Sequence, residues 1–208
     1  CVIVISPLIA LMEDQIDTMR ELEIPVCCFN SNTIYKNPIK GDILSGNYKI
    51  IYMTPEYLLK AQEFIEELYE DHGICCFAID ESHCISSWSD RSFRPEYKKL
   101  NVIRKWAPEV PILALTATAS DKVQNDIIKC LQLIDPIIIK SSFDRSNLSM
   151  NVHRKGDNIK LDINPLLQKY KDEYIIIYVK TRDDTEKIAE IIKDLGINCQ
   201  AYHAGLEN

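Results

Sequence analysis

The chain has 208 residues, of which 46% are hydrophobic and 26% are charged, and its formal net charge is −7 at pH 7. This composition is typical of a globular protein with one large or two small domains. No apolar run approaches the length of about 18 residues that a membrane-spanning helix needs. The negative charge argues mildly against a nucleic-acid binder, although a local basic groove can act within an acidic protein.

The ends and the cysteines of the chain indicate its cellular environment. No signal peptide is visible, because the first apolar stretch lacks a basic leader, so we predict a nuclear or cytoplasmic protein that is not secreted. None of the eight cysteines has the Cys-x₂-Cys spacing of a zinc site, and most lie in apolar runs that favour reduced, buried thiols. Because the first residue is Cys1, we expect the native start to lie upstream.

The first predicted element is a strand at residues 1–5, followed by an amphipathic helix that extends to Met19. Ser6 is a plausible N-cap of this helix, with Pro7 at its first position. A helix N-terminus at this point suits an anion such as a phosphate. The alternative is a simple helix cap with no ligand.

Two further strands are predicted at residues 26–30 and 48–53, separated by a polar connector. The second strand is followed by the sequence Thr54-Pro55-Glu56, which opens a helix whose last apolar residue is Leu68. This strand–turn–helix order repeats the arrangement at the start of the chain.

The most informative segment covers residues 75–100. Its apolar run at 75–79 is too short for a helix and suits a strand that is buried on both faces. The run ends in Asp80 and Glu81, and carboxylates at the carboxyl end of a parallel strand lie where open α/β sheets bind ligands. An Asp at this place holds Mg²⁺ in P-loop NTPases, and a neighbouring Glu can activate water. A solvated acidic turn is the alternative.

An aromatic, arginine-containing segment follows the carboxylates. Trp88, Phe93 and Arg94 lie in a polar stretch without helical periodicity. Aromatic side chains with an interleaved arginine are typical of loops on which single-stranded nucleic acid stacks. The alternative is a loop that Trp88 and Phe93 attach to the core.

The next predicted strand, at residues 110–115, leads to Thr116 and Thr118. Their hydroxyl groups can link nucleotide carboxylates to a nucleic-acid side through hydrogen bonds. An ST-turn before the helix predicted at 120–131, whose N-cap is Ser120, is a compatible alternative.

The remaining residues predict another strand–helix–strand unit. Strands are predicted at 136–140, 174–179 and 199–202, and helices at 162–170 and 183–195. Alternating strands and helices predict an α/β protein with mostly parallel sheets. We place a first domain at residues 1–140, a linker at 141–160 and the start of a second domain at 161–208, which is too short to bury a core of its own.

Several of these segments resemble one protein family. DESHCISSW…FRPEYKKL resembles motif II and the adjoining aromatic-rich loop of RecQ-family DNA helicases, which belong to helicase superfamily 2. VIVISPLIALMEDQ, TPE, LTATA, FDRSN and YHAGL resemble further motifs of that family, in family order along the whole chain. Two features differ from the usual form DEAHC-x-S-x-W-G-H-D-F-R-P-x-Y. Ser82 replaces an alanine, and the segment between Trp88 and Phe93 is one residue longer.

The resemblance implies an ATP-dependent 3′-to-5′ DNA helicase of DNA repair and recombination, with RecA-like domains whose parallel sheets carry helices on both faces. Its implied cofactors are ATP and Mg²⁺, and its implied partners are single-stranded and partly duplex DNA, with no membrane. Asp80 would bind Mg²⁺, Glu81 would activate water, and His83 would link the nucleotide site to Thr116 and Thr118, which with the two carboxylates form the cofactor site. The implied nucleic-acid contacts are Ser6, Pro7, Thr54, Pro55, Trp88, Phe93, Arg94, Thr181 and Arg182.

The phosphate-binding sequence G-x-x-x-x-G-K-[ST] does not occur in the 208 residues. In RecQ helicases it precedes the strand that begins this chain, and the arginine-finger motif would follow its last residue. We therefore expect an internal segment, from motif Ia to motif IV, with little ATPase activity of its own.

Three alternatives remain. One is an inactive nucleic-acid-binding or interaction protein derived from a helicase. Another is an RNA helicase, against which the aromatic loop argues. A tightly held metal on Asp80, Glu81, His83 and Cys84 is disfavoured because a strand end directs neighbouring side chains apart.

Overall fold

A computed structural model describes residues 1–29, 36–86, 94–141 and 145–206. The chain divides into two compact units, Cys1–Ile139 and Lys140–Asn208. None of the helices in the described ranges is long and apolar enough to cross a membrane.

The first unit is built on a five-stranded sheet in which every pair of neighbouring strands is parallel. The spatial order is β2-β3-β1-β4-β5, so β1 is the central strand. Ile5, at the end of β1, is aligned with both Met53 and Ile79, and Ile79 is aligned with Ala114. The carboxyl ends of four strands therefore lie level along one edge. The strands are β1 (Val2–Ile5), β2 (Val26–Cys28), β3 (Ile50–Met53), β4 (Cys76–Ile79) and β5 (Ile112–Ala114).

Helices cover both faces of this sheet, because alternate side chains of a strand point to opposite faces. Ile3 and Ile5 belong to the larger core, which includes side chains of α2, α4, α5 and α6, whereas Tyr52 packs with Met12 and Ile16 of α1 on the other face. The predicted α/β class with a parallel sheet is confirmed. The helices are α1 (Ile9–Glu21), α2 (Lys36–Leu44), α3 (Pro55–Leu58), α4 (Gln62–Asp71), α5 (Ile103–Trp106) and α6 (Asp121–Cys130), with 3₁₀ helices at Ser82–Ile85 and Pro95–Val102.

The predicted cap of α1 is wrong, whereas that of α6 is confirmed. The Ser6 N–H donates to the Met53 carbonyl oxygen at 3.1 Å, which extends the pairing of β1 with β3 by one residue and delays the helix. Helix α1 begins at Ile9, with Leu8 as an N-cap whose side chain makes no capping hydrogen bond. At α6, Ser120 accepts a hydrogen bond from the Val123 N–H, as the sequence predicts.

Helix α2 occupies part of the stretch that the sequence indicates as a connector. Pro38 lies in its first turn, where a missing N–H has no cost, and Gly41 weakens the helical signal. Packing stabilises the helix despite this weak local signal, because Ile43 is buried in the larger core and is only 2% exposed. The single helix predicted after Thr54 is also wrong in detail, since it forms two helices, α3 and α4, separated by residues 59–61.

The second unit contains α7 (Ile159–Lys169) and α8 (Arg182–Asp194). Asn158 caps α7 by accepting from the Lys160 and Leu161 N–H groups, so this helix begins three residues before the predicted start at 162. After α8, Gly196 adopts a φ of 78°, the left-handed conformation that ends helices.

Three predicted strands are absent from the described residues, at 136–140, 174–179 and 199–202. These predictions are wrong for this structure. A strand is held by hydrogen bonds to a neighbouring strand, and none of the three segments pairs with one within the described ranges. Most of their apolar side chains remain exposed, as shown by Ile137 and Tyr178 at 91% each.

Candidate nucleotide and nucleic-acid site

The carboxyl edge of the sheet brings together most of the predicted site residues of the first unit. Ser6, Thr54 and Asp80 directly follow β1, β3 and β4, and Thr116 lies just beyond β5. Backbone hydrogen bonds fix these turns: the Asp80 N–H donates to the Ile5 carbonyl oxygen at 2.9 Å, and the Leu115 N–H donates to that of Ile79 at 2.8 Å. This edge is where parallel α/β sheets bind ligands.

The two carboxylates lie on a sharp turn at the end of β4. Oδ1 of Asp80 accepts a hydrogen bond from the Glu81 N–H at 2.9 Å. Glu81 has φ 47° and ψ 40°, a left-handed conformation that is uncommon for a residue with a side chain. This conformation turns the chain out of the strand and into the 3₁₀ helix at Ser82–Ile85.

Ser82, which stands where the family usually has alanine, fixes this turn against β5. Its side chain is fully buried. Both its backbone N–H and its hydroxyl group donate to the Leu115 carbonyl oxygen at 2.9 Å. The sequence identifies Ser82 only as a small residue, so this contribution is a feature that sequence reasoning missed.

His83 lies between the Glu81 carboxylate and the threonines that follow β5. Its Nδ1 is 3.1 Å from Oε2 of Glu81 and 3.0 Å from Oγ1 of Thr116. The hydroxyl group of Thr116 donates to the Thr118 carbonyl oxygen and accepts from the Thr118 N–H, each at 3.1 Å. Because Nδ1 faces a carboxylate, the tautomer that fits this arrangement carries its proton on Nδ1.

Tyr97 stabilises the carboxylate turn through a hydrogen bond to its backbone. Its hydroxyl group donates to the Asp80 carbonyl oxygen at 2.8 Å, and its side chain is fully buried. Burial raises the pKa of Tyr97, so the phenol remains a neutral donor. The sequence does not identify this contact, although Tyr97 belongs to the quoted family pattern.

Arg94 forms an ion pair with Glu56, the third residue of the turn after β3. Nη1 of Arg94 is 2.5 Å from Oε1 of Glu56, and the side chains are 27% and 32% exposed. Burial raises the pKa of the Glu56 carboxyl group, but its own backbone N–H, the Arg94 guanidinium and the Thr54 hydroxyl group together lower it below its ordinary value. Glu56 is therefore ionised at neutral pH.

The other nucleic-acid contacts predicted in the first unit belong to the turns after β1 and β3 and to the aromatic segment. Ser6, Pro7, Thr54 and Pro55 are buried. Thr54 caps α3 by accepting from the Tyr57 N–H at 3.3 Å. Trp88 and Phe93 lie outside the described residues.

In the second unit, Thr181 and Arg182 are exposed at the start of α8. The Thr181 hydroxyl group accepts from the Asp184 N–H at 3.1 Å and donates to Oδ2 of Asp184 at 2.7 Å. Nε2 of His203 is 2.8 Å from Oε1 of Glu186, which attaches the segment near residue 203 to α8.

Comparisons with known proteins agree with this geometry. A family model for the DEAD/DEAH box helicase matches residues 1–127. Protein R290 of Acanthamoeba polyphaga mimivirus, named provisionally as an ATP-dependent RNA helicase, is 45% identical over 206 residues, covering 99% of this chain and 37% of that protein. The bifunctional 3′-5′ exonuclease/ATP-dependent helicase WRN of Mus musculus is 39% identical over 99% of this chain and 15% of its own length.

The ATP-dependent DNA helicase RecQ of Pasteurella multocida is 37% identical over 99% of this chain and 32% of its own length. The chain thus spans well under half of these relatives. The solved structure of Mycobacterium smegmatis helicase Lhr bound to ssDNA and AMP-PNP has a TM-score of 0.60 at 18% identity, covering 99% of this chain and 30% of that chain. This last likeness supports the fold alone.

The parallel sheet, with its acidic turn at the carboxyl edge, defines an α/β protein whose fold is similar to that of the helicase Lhr. The chain belongs to the DEAD/DEAH box helicase family. Its resemblance to RecQ-type helicases is confirmed by RecQ and WRN, which match it from end to end.

Proposed function

We propose that the protein containing this chain is an ATP-dependent DNA helicase of RecQ type, which moves 3′ to 5′ on single-stranded DNA and unwinds duplexes in DNA repair and recombination. The observation that supports it most is the polar network from Glu81 through His83 to Thr116, on a chain with RecQ relatives over its whole length. The activity belongs to the longer protein, in the nucleus or cytoplasm. The Gly-Lys-Ser or Gly-Lys-Thr phosphate loop does not occur in the 208 residues, and we expect these residues to show little ATPase activity by themselves.

The residues at the carboxyl edge fit a nucleotide with Mg²⁺. Protein sites usually hold Mg²⁺ through one or two carboxylates together with substrate phosphates, and Asp80 supplies a carboxylate at the strand end. Among the described residues, no group of three or more His, Cys, Asp or Glu side chains is arranged for a metal ion. When bound, Mg²⁺ neutralises charge on the phosphates. Glu81 orients or deprotonates the attacking water.

The proposed organisation is a first RecA-like domain at residues 1–140, a linker at 141–160 and the start of a second domain at 161–208. The compact units Cys1–Ile139 and Lys140–Asn208 support a division near this point. Thr181 and Arg182 would contact the nucleic-acid backbone from the second domain, since both are exposed at a helix N-terminus.

The test of the function uses the full-length protein with DNA and RNA of matched sequence. We expect ATP hydrolysis to be stimulated by single-stranded DNA, and a DNA duplex with a 3′ overhang to be unwound in preference to one with a 5′ overhang. A preference for RNA would instead favour an RNA helicase, the activity for which protein R290 is named. Nucleic-acid binding without ATP hydrolysis by the full-length protein would favour the inactive binding protein.

His83→Ala is expected to lower the DNA-stimulated kcat for ATP about tenfold to a hundredfold, the size expected for the loss of one hydrogen bond to a charged group, with little change in KM. The reason is that His83 alone connects Glu81 to Thr116 within this network. Steady-state ATPase assays of the full-length protein measure this effect. His72→Ala is the matched control, because His72 is exposed at the opposite edge of the sheet, before β4. Equal activities of the two variants would contradict the coupling role.

Trp88→Ala and Phe93→Ala are expected to weaken the stimulation of ATPase by single-stranded DNA, because each removes a stacking platform worth about 1–3 kcal/mol per base. The measurement is the DNA concentration that gives half-maximal ATPase, with basal ATPase recorded alongside. Trp88→Phe keeps an aromatic face and should retain most of the stimulation. Unchanged stimulation in both alanine variants would mean that the longer segment does not couple DNA to the nucleotide site.

A further inference from the structure

The ion pair between Arg94 and Glu56 joins two segments that the sequence assigns to nucleic-acid binding. Arg94 directly follows Phe93, and Glu56 directly follows Thr54 and Pro55. The two residues are 38 positions apart, and only the fold brings them together. A guanidinium expected to contact a phosphate is thus held by a carboxylate of the same protein.

We propose that Glu56 is a positioning residue that occupies the Arg94 guanidinium in the absence of nucleic acid, and that a nucleic-acid phosphate replaces the Glu56 carboxylate on Arg94 upon binding. This inference rests on the proposed function, since it requires single-stranded nucleic acid at the carboxyl edge of the sheet. It assigns to Glu56 a role as an internal competitor of the ligand.

The chemistry of the pair permits this exchange. Carboxylate and phosphate oxygens match the planar fork of a guanidinium in the same way. Both side chains remain about one-third exposed, so a phosphate can reach Arg94 from solvent. An ion pair with this exposure contributes little to stability, which makes replacement by another anion feasible.

The position of Arg94 connects this exchange to the nucleotide site. The Arg94 carbonyl oxygen accepts a hydrogen bond from the Tyr97 N–H at 3.2 Å. The hydroxyl group of the same Tyr97 donates to the Asp80 carbonyl oxygen at 2.8 Å. Tyr97, whose side chain is fully buried, therefore bonds to both Arg94 and Asp80. We expect a change at Arg94 to reach the carboxylate turn through this residue.

The test compares Glu56→Gln with the wild-type full-length protein in fluorescence anisotropy titrations with a single-stranded DNA oligonucleotide. We expect the Kd to fall about twofold to fivefold, the range that one partly exposed ion pair supports. The DNA concentration for half-maximal ATPase should fall in parallel. The melting temperature reports that the variant is folded.

Two further variants separate competition from general effects. Glu109→Gln makes the same change in net charge at an exposed position before β5, on the opposite edge of the sheet, and should leave the Kd unchanged. Arg94→Gln should weaken binding and reduce the salt slope by about 0.7, the loss of one single-strand phosphate contact. In the double variant, Glu56→Gln should add no affinity, because its effect acts through Arg94.

The outcomes distinguish this inference from the proposed function. If Glu56→Gln weakens binding, or only matches Glu109→Gln, Glu56 is not a competitor and the inference is overturned. The same holds if the gain persists without Arg94. If the wild-type protein neither binds single-stranded DNA nor hydrolyses ATP, it is the proposed function that fails.

Discussion

Glu81→Gln in the full-length protein is expected to lower the rate of ATP hydrolysis by about 10²- to 10⁴-fold, the range observed when a general base is removed. Glutamine keeps the size of the side chain and the left-handed backbone at this turn, but it cannot accept the proton of the attacking water. Asp80→Asn is expected to lower hydrolysis as well, because it removes the carboxylate that fits nucleotide-bound Mg²⁺. The measurement is steady-state ATPase at saturating single-stranded DNA.

DNA binding separates a chemical defect from a folding defect in these variants. Neither Asp80 nor Glu81 is assigned to the nucleic-acid side, so the Kd for single-stranded DNA should remain close to that of the wild type. Glu109→Gln again provides the control, since it changes the same type of residue away from the carboxyl edge. A parallel loss of DNA binding in Glu81→Gln would contradict the separation of roles.

The sheet could be predicted from the sequence because its strands are short apolar runs that end in polar residues. The run before Asp80 and the one before Ser6 form β4 and β1 as expected. The same signal fails at residues 174–179, which are equally apolar. An apolar run indicates only that a segment is able to form a strand. The hydrogen bonds that stabilise the strand come from a neighbouring strand elsewhere in the chain.

The sequence was enough to predict the two carboxylates of the acidic site. It was not enough to predict the hydrogen bonds and ion pairs that hold the surrounding segments in place. Asp80 and Glu81 follow a recognisable strand, so their position at the carboxyl edge is accessible from sequence. The hydroxyl group of Ser82 meets the Leu115 carbonyl oxygen across 33 positions, and Arg94 meets Glu56 across 38. Such contacts depend on strand register and on the path of the 3₁₀ helices, which local patterns do not specify.

The burial of Ser6 and Thr54 is a second feature that could not be predicted from the sequence. Ser6 and Thr54 were expected to contact a nucleic acid because their segments resemble motifs of RecQ helicases. Ser6 is instead held in an extended conformation by Met53, and Thr54 is used as the cap of α3. Both turns lie at the predicted edge, but the Thr54 side chain caps a helix, whereas Oγ of Ser6 is buried and has no hydrogen-bond partner among the described residues.

Tyr97→Ala is expected to lower the free energy of unfolding by about 3–5 kcal/mol, the cost of removing a buried aromatic side chain. Tyr97 is fully buried in the larger core, so the substitution leaves a cavity between the 3₁₀ helix at Pro95–Val102 and the sheet. Tyr97→Phe keeps the ring and removes only the donor to the Asp80 carbonyl oxygen, which should cost about 1–3 kcal/mol. Urea unfolding of the full-length protein gives both values.

The phenylalanine variant also tests whether Tyr97 positions the carboxylate turn. With Asp80 less constrained, kcat for ATP should fall in Tyr97→Phe at temperatures where the protein is fully folded, while KM changes little. Tyr69→Phe is the matched control, because Tyr69 is half-buried against the same core but lies on α4, away from the carboxylate turn. If Tyr97→Phe lowered stability but left kcat at the control value, the hydroxyl group would only stabilise the core. That result would contradict a connection from Arg94 to Asp80 through Tyr97.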